Sequence, residues 1–150
     1  MNGTRLLTAI LAAGLASLLA VSTASAAPAS DTFAHATPIN SLPFNGATND
    51  TSATVQASEP TPSCYTGNDY SASVWWHYTP ATAVKLVASL DGYQALAIYR
   101  GTSLTGLAEL TCGWGSDNLN VSIAAGQSIY FQVGTQPGGG GPITLSVQRQ

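Results

Sequence analysis

The stretch Glu59–Pro80, EPTPSCYTGNDYSASVWWHYTP, decides the fold. It places Cys64 in a loop rich in proline, glycine and asparagine and then runs into an aromatic segment, Ser73–Thr79. Successive side chains of a strand point to opposite faces, so Trp75 and Trp76 must face opposite sides. We therefore predict a strand that is covered on both faces, with Trp75 packed beneath the N-terminal segment and its aromatic side chains in the core.

The first 26 residues predict a secretory signal peptide. Arg5 supplies a positive charge, Leu6–Val21 is an almost unbroken apolar run, and Ala24-Ser25-Ala26 is a small-residue cleavage site. An uncleaved membrane anchor is the alternative, but the run is short for a span and lacks a charged flank. We expect cleavage after Ala26, a secreted product and no membrane span in the mature protein.

The remaining chain suits one domain of about 120 residues, with a tether over 27–30 and the domain over 31–150. It carries three basic and seven acidic side chains. A nucleic-acid binder needs a basic face, which this composition does not supply. We expect a monomer that does not bind nucleic acid.

Alternation of apolar and polar residues predicts strands in the second half of the chain. The apolar members are Leu119, Val121 and Ile123; Ile129, Phe131 and Val133; and Ile143, Leu145 and Val147. Shorter apolar runs suggest further strands at Val84–Leu90, Ala95–Arg100 and Leu107–Cys112, and short strands are expected around Thr37–Leu42. Turn residues separate these segments, so the pattern indicates an all-β, jelly-roll-like sandwich of about eight strands.

The mature chain has two cysteines, Cys64 and Cys112. In an oxidising compartment one disulfide is the economical interpretation. Free thiols or a metal pair are the alternatives, but the sequence has no Cys-x-x-Cys motif and no nearby histidine pair.

Six segments, in order, resemble the bacterial pre-peptidase C-terminal (PPC) domain over about Asp31–Val147. They are Asp31–Ala36 with Pro38-Ile39, Glu59-Pro60 with Cys64, Ser73–Pro80, Leu96–Leu104, Cys112, and Ile129–Gly134. The resemblance implies a small jelly-roll-like sandwich, secreted and non-catalytic, here as a stand-alone copy. It also implies a role in secretion or attachment, to extracellular polysaccharide or protein. The alternative is a structural or inhibitory protein that binds an exported protease.

Two departures from the PPC pattern weaken any calcium site that the resemblance implies. Gln94 and Gly113-Trp114-Gly115 stand where relatives carry acidic residues. Calcium takes six to eight oxygen ligands, several of them carboxylates. The acids and amide that could still gather near the bridge are Asp117, Asp69, Asn68 and Glu59, and solvated loop side chains are the simpler interpretation. We therefore predict no metal and no cofactor.

Trp114 is the candidate binding residue, because the glycines beside it predict a flexible turn two residues beyond Cys112. Bridged cysteines lie about 6 Å apart, so Tyr65 and Tyr70 should flank Trp114. Such a cluster could stack on sugar rings or on a proline-rich peptide. Alternatively, Trp114 folds back over the disulfide.

Catalytic motifs are missing from the sequence, and we predict a non-enzyme. His35 and His77 are the only histidines, and neither G-x-S-x-G nor H-E-x-x-H occurs. Gly138–Gly141 lacks the lysine and helix of a phosphate loop, and we interpret it as a hairpin tip.

Overall fold

A computed structural model describes residues 26–66 and 70–150. The predicted signal peptide, apart from Ala26, and the candidate metal ligands Asn68 and Asp69 lie outside the described residues. Among the described residues, no helix is long and apolar enough to cross a membrane.

Nine strands form two sheets that pack face to face, which confirms the predicted all-β sandwich. The strands are β1 (Thr37–Pro38), β2 (Phe44–Asn49), β3 (Ala72–Tyr78), β4 (Val84–Asp91), β5 (Ala95–Arg100), β6 (Ala108–Trp114), β7 (Leu119–Ile123), β8 (Ile129–Thr135) and β9 (Pro142–Arg149). Short 3-10 turns lie at Phe33–His35 and Leu104–Gly106. One sheet has the order β1-β3-β8-β5-β6 and the other β2-β9-β4-β7. All neighbours are antiparallel except β1 and β3.

The main core lies between the sheets and contains the apolar side chains that the alternation singled out on β7, β8 and β9. Trp76 and Phe131 are its largest fully buried members and sit opposite each other on β3 and β8. On β9, Leu145 and Val147 are buried while Ser146 between them is not. The period-two pattern therefore identified the inward face of these strands correctly.

The alternation of apolar and polar residues in β8 is typical of a strand with one face on the core and the other in water, and the structure differs from this pattern. Gln132 is fully buried and Tyr130 is half-buried on its outer face. A second apolar cluster covers this side of the five-stranded sheet, with Trp75 and Tyr99 at its centre. The three inner strands of this sheet, β3, β8 and β5, are therefore largely buried on both faces.

The N-terminal segment provides part of that cover. Phe33 packs edge-on against Trp75 with ring centroids 5.6 Å apart, and the Trp75 amide donates to the Ser30 carbonyl at 2.9 Å. Ser30 itself is buried. The expectation that Trp75 lies beneath this segment is met.

Two local predictions were wrong. β2 was not anticipated, because Gly46 and Asn49-Asp50 have the composition of a turn. The strand pairs with β9 along all six of its residues, and glycine at position 46 leaves room for Phe44 and Trp76, with which an added Cβ would collide. Gly138–Gly141 is not a hairpin tip, since it links β8 in one sheet to β9 in the other.

Candidate functional site

The Cys64–Cys112 disulfide fastens the loop before β3 to edge strand β6, with the two Cα atoms 5.6 Å apart. A second clamp lies beside it, because Glu109 accepts hydrogen bonds from the amide and hydroxyl of Ser63, the amide at 2.9 Å. Within residues 26–66 and 70–150 no cysteine is free. The loop that carries Tyr65 is thus held against the end of β6.

Trp114 lies at the end of β6, where it pairs with Ala95, rather than on a flexible turn as predicted. The Asp117 carboxylate accepts a bond from the Trp114 amide at 2.9 Å. The half-buried indole donates its N–H to the Cys64 carbonyl at 3.1 Å. One hydrogen bond therefore holds the Trp114 backbone and another holds its indole, and the ring still presents part of its surface to solvent.

Tyr65 joins Trp114 to Tyr70. Its ring centroid lies 4.7 Å from that of Trp114 and 5.4 Å from that of Tyr70. Tyr65 is 8% exposed, and burial raises the pKa of its phenol, with Asp50 adding to the effect. The hydroxyl lies near the Ala95 backbone but has no hydrogen-bond partner among the described residues.

Tyr70 belongs to an internal network instead of the surface. Its hydroxyl donates to Glu59 at 2.9 Å and accepts from Gln132 at 2.5 Å. Burial, and then the Glu59 charge, raise the pKa of Tyr70. Of the two tyrosines expected beside Trp114, Tyr65 makes the ring contact and Tyr70 reaches the cluster through Tyr65.

Glu59 is a candidate metal ligand in the sequence, but both of its carboxylate oxygens accept hydrogen bonds from donors inside the protein. It accepts from Tyr70, Ser73 at 2.6 Å and Trp75 at 3.3 Å, and from the Gln56 amide at 3.1 Å. Asp117 is likewise engaged with the Trp114 amide. Across the described part of the chain, no three histidine, cysteine or acidic side chains group as metal ligands would.

Tyr93 is the residue that sequence reasoning missed. It follows Gly92 in the β4–β5 connection and is 96% exposed, far more than any other large apolar side chain described. With Trp114, Gly115 and Ser116 it lines a cleft of about 370 Å³. An aromatic residue directly after the Asp91-Gly92 turn signal could have drawn attention to it, since turn tips lie at the surface.

A smaller pocket of about 90 Å³ adjoins the cleft, and Tyr93 and Trp114 line both. Its other walls include Tyr65, Gln94 and Gly139. Gln94 is 7% exposed, and its amide nitrogen donates to the Gly139 carbonyl at 3.5 Å. Its Oε1 has no partner among the described residues and lies against Gly92, where an added Cβ would collide with it.

Charge is distributed unevenly along the sandwich. Asp91 and Asp117 are exposed beside the cleft. Lys85 lies near the start of β4, at the end of that strand away from Asp91 and the cleft. Arg100 is the last residue of β5, whereas the first residue of β5 pairs with Trp114 beside the cleft. Six strand residues span about 20 Å, so these cations lie far from the cleft. Arg149 pairs with Leu86 at that same far end.

The two histidines lie away from the cleft. His77 pairs with Tyr130 near the C-terminal end of β3, donates from Nδ1 to the Ala36 carbonyl at 3.2 Å, and stacks on the Tyr130 ring. His35 bonds the Thr32 hydroxyl at 2.8 Å. Both therefore have structural partners within the N-terminal cover.

Comparison with known proteins gives a likeness of fold. No protein-family model matches the sequence, and no curated protein matches it. The PPC domain of a collagenase from Bacillus anthracis superposes with a TM-score of 0.50 and 14% identity, over 75% of this chain and 94% of that one. Aeromonas hydrophila PliG, a periplasmic inhibitor of g-type lysozyme, gives 0.50 and 10%, over 77% and 96%. These values support a PPC-like sandwich fold and leave membership of the family as a resemblance.

Proposed function

We propose that the protein is a secreted, non-catalytic binding module that attaches to an extracellular polysaccharide or protein through the Tyr93–Trp114 cleft. One observation carries the proposal: a tyrosine 96% exposed stands beside a half-buried tryptophan over a cleft. An exposed aromatic ring does not gain the free energy that burial would provide. A role in binding explains why this ring is nevertheless exposed. Secretion rests on the predicted signal peptide and agrees with the disulfide.

The rigidity of the surroundings supports the same role. The disulfide and the Trp114–Cys64 hydrogen bond fix one wall of the cleft before any ligand arrives. A preformed wall reduces the entropy lost on binding. Only Tyr93 is left to adjust to the ligand.

An inhibitor of an exported enzyme is the second candidate. A periplasmic lysozyme inhibitor shares the sandwich fold, and such a protein would also need an exposed recognition surface at one end. Under this alternative the cleft would contact a folded protein instead of an extended polymer.

The test measures retention of the secreted protein on insoluble polysaccharides and on immobilised matrix proteins. Tyr93→Ala should reduce retention at least about fivefold, since a stacked aromatic ring contributes about 1–3 kcal/mol. Leu110→Ala is the matched control, because Leu110 is exposed on β6 outside the cleft. Unchanged retention of Tyr93→Ala on every material would refute the proposal. Binding to an exported enzyme, with no retention on polysaccharides or matrix proteins, would favour the second candidate.

A further inference from the structure

We infer that the cleft binds a neutral sugar ring, with one hydroxyl-bearing arm of that sugar placed in the adjoining pocket of about 90 Å³. This inference rests on the proposed function and names its ligand class. It is based on two buried oxygens without hydrogen-bond partners, those of Tyr65 and Gln94, and on the negative charge of the side chains beside the cleft.

The pocket contains two buried polar groups that the described protein leaves without partners. The Tyr65 hydroxyl can donate or accept a hydrogen bond, and Gln94 Oε1 can only accept. Both side chains are more than nine-tenths buried and both line the pocket. Leaving such groups unpaired is unfavourable, so a ligand that pairs them gains affinity.

A sugar hydroxyl has the matching chemistry. It can donate to Gln94 Oε1 and accept from the Tyr65 hydroxyl at the same time. The pocket volume suits one hydroxymethyl-sized arm, and the outer cleft of about 370 Å³ falls in the range of small-ligand sites. Tyr93 then stacks on the ring face. Both oxygens have almost no exposed surface, so the sugar hydroxyl reaches them when the side chains that line the pocket shift.

Charge and donor count argue against other ligands. Asp91 and Asp117 beside the cleft repel sulfated or uronic-acid polymers, and the described cations lie at the opposite end of the sandwich. A proline-rich peptide could stack on Tyr93, but proline has no N–H to offer Gln94 Oε1. A contact made by prolines alone would leave the buried acceptor unpaired.

The test uses a matched pair of hydroxyl deletions in the intact secreted protein. Tyr65→Phe removes a buried hydroxyl without a partner, so the thermal midpoint should stay unchanged or rise by a few °C while affinity for the sugar falls about 3- to 10-fold. Tyr70→Phe removes a hydroxyl bonded to Glu59 and Gln132, so the midpoint should fall by about 5 °C with sugar affinity unchanged.

Affinities are measured by calorimetry with neutral hexasaccharides of glucose and of N-acetylglucosamine, a polyuronic hexasaccharide and a proline-rich peptide. The inference expects binding of a neutral hexasaccharide, weaker or no binding of the charged one, and loss with Tyr93→Ala. Tyr93-dependent binding of the peptide without sugar binding would overturn the inference and leave the proposed function standing. Sugar binding insensitive to Tyr65→Phe would overturn the pocket assignment. Binding of every probe insensitive to Tyr93→Ala would refute the proposed site itself.

Discussion

Glu59 offers a direct test of how the outer face of the five-stranded sheet is stabilised. Its Oε2 accepts from Tyr70, Ser73 and Gln132, and its Oε1 from Trp75 and the Gln56 amide. Ser73, Trp75 and Gln132 are fully buried. The carboxylate therefore satisfies five donors at a site where water is largely excluded, and replacing it should reveal their free-energy contribution.

Glu59→Ala removes every acceptor at once. Three of the donors have no other acceptor among the described residues: the Trp75 indole N–H, the Gln56 backbone N–H and the Tyr70 hydroxyl. An unsatisfied buried donor costs about 1–3 kcal/mol, and water can reach part of this half-buried site. We expect the free energy of unfolding to fall by about 3–5 kcal/mol.

Glu59→Gln should cost much less. Its amide oxygen can keep the bonds from Trp75 and Gln56, while its NH₂ group faces the hydroxyls of Ser73 and Tyr70, which can turn to accept. Charge-assisted bonds become neutral ones, so the expected loss is about 1–2 kcal/mol. Urea unfolding followed by tryptophan fluorescence measures both values. A loss below 1 kcal/mol for Glu59→Ala, or equal losses for the two variants, would refute the network.

Two further predictions concern the disulfide and the packing of the tyrosines. Replacing both Cys64 and Cys112 by serine should lower the free energy of unfolding by about 4 kcal/mol, because the bridge spans 48 residues; equal urea midpoints with and without the bridge would contradict this. Gly134→Ala should cost about 1–3 kcal/mol, since the added Cβ would lie 2.7 Å from the Tyr70 ring and 3.1 Å from Tyr65. Gly141→Ala is the control, with nothing within 4 Å, and should change stability by less than about 0.5 kcal/mol. Equal changes in the free energy of unfolding for Gly134→Ala and Gly141→Ala would show that the two tyrosine rings move aside without destabilising the protein.

The alternation of apolar and polar residues was sufficient to predict the sandwich. It was not sufficient to predict that the outer face of the five-stranded sheet is covered. Apolar residues at every second position of β7 and β9 identify the inner face, because side-chain direction in a strand depends only on sequence position. Gln132 on β8 has the same polar character as residues that face water. It is buried because Glu59 and Pro60, some seventy residues earlier, provide its hydrogen-bond partners. Such long-range cover leaves no local signal.

The site proposed for binding was predicted only in part from the sequence, because it too depends on contacts between distant segments. The cysteine pair and the export signal indicated that the Cys64 loop and Trp114 would meet. Pairing with Ala95 extends β6 through Trp114, which the flanking glycines did not suggest. Tyr93 shares the cleft only because the β4–β5 connection crosses between sheets at this end of the molecule. Which loops meet at one end depends on topology, and composition does not encode it.

Amide chemical-shift mapping of the isotopically labelled protein during titration with its ligand tests the central claim most directly. We predict the largest shifts at the amides of Gly92, Tyr93, Trp114, Gly115 and Gly139, which surround the cleft and its inner pocket. The apolar surface depression at Val84, Lys85 and Ile123 lies at the other end of the sandwich and should remain unperturbed. Shifts concentrated at that far end, with the Tyr93 and Trp114 amides unchanged, would contradict the assignment of the binding site.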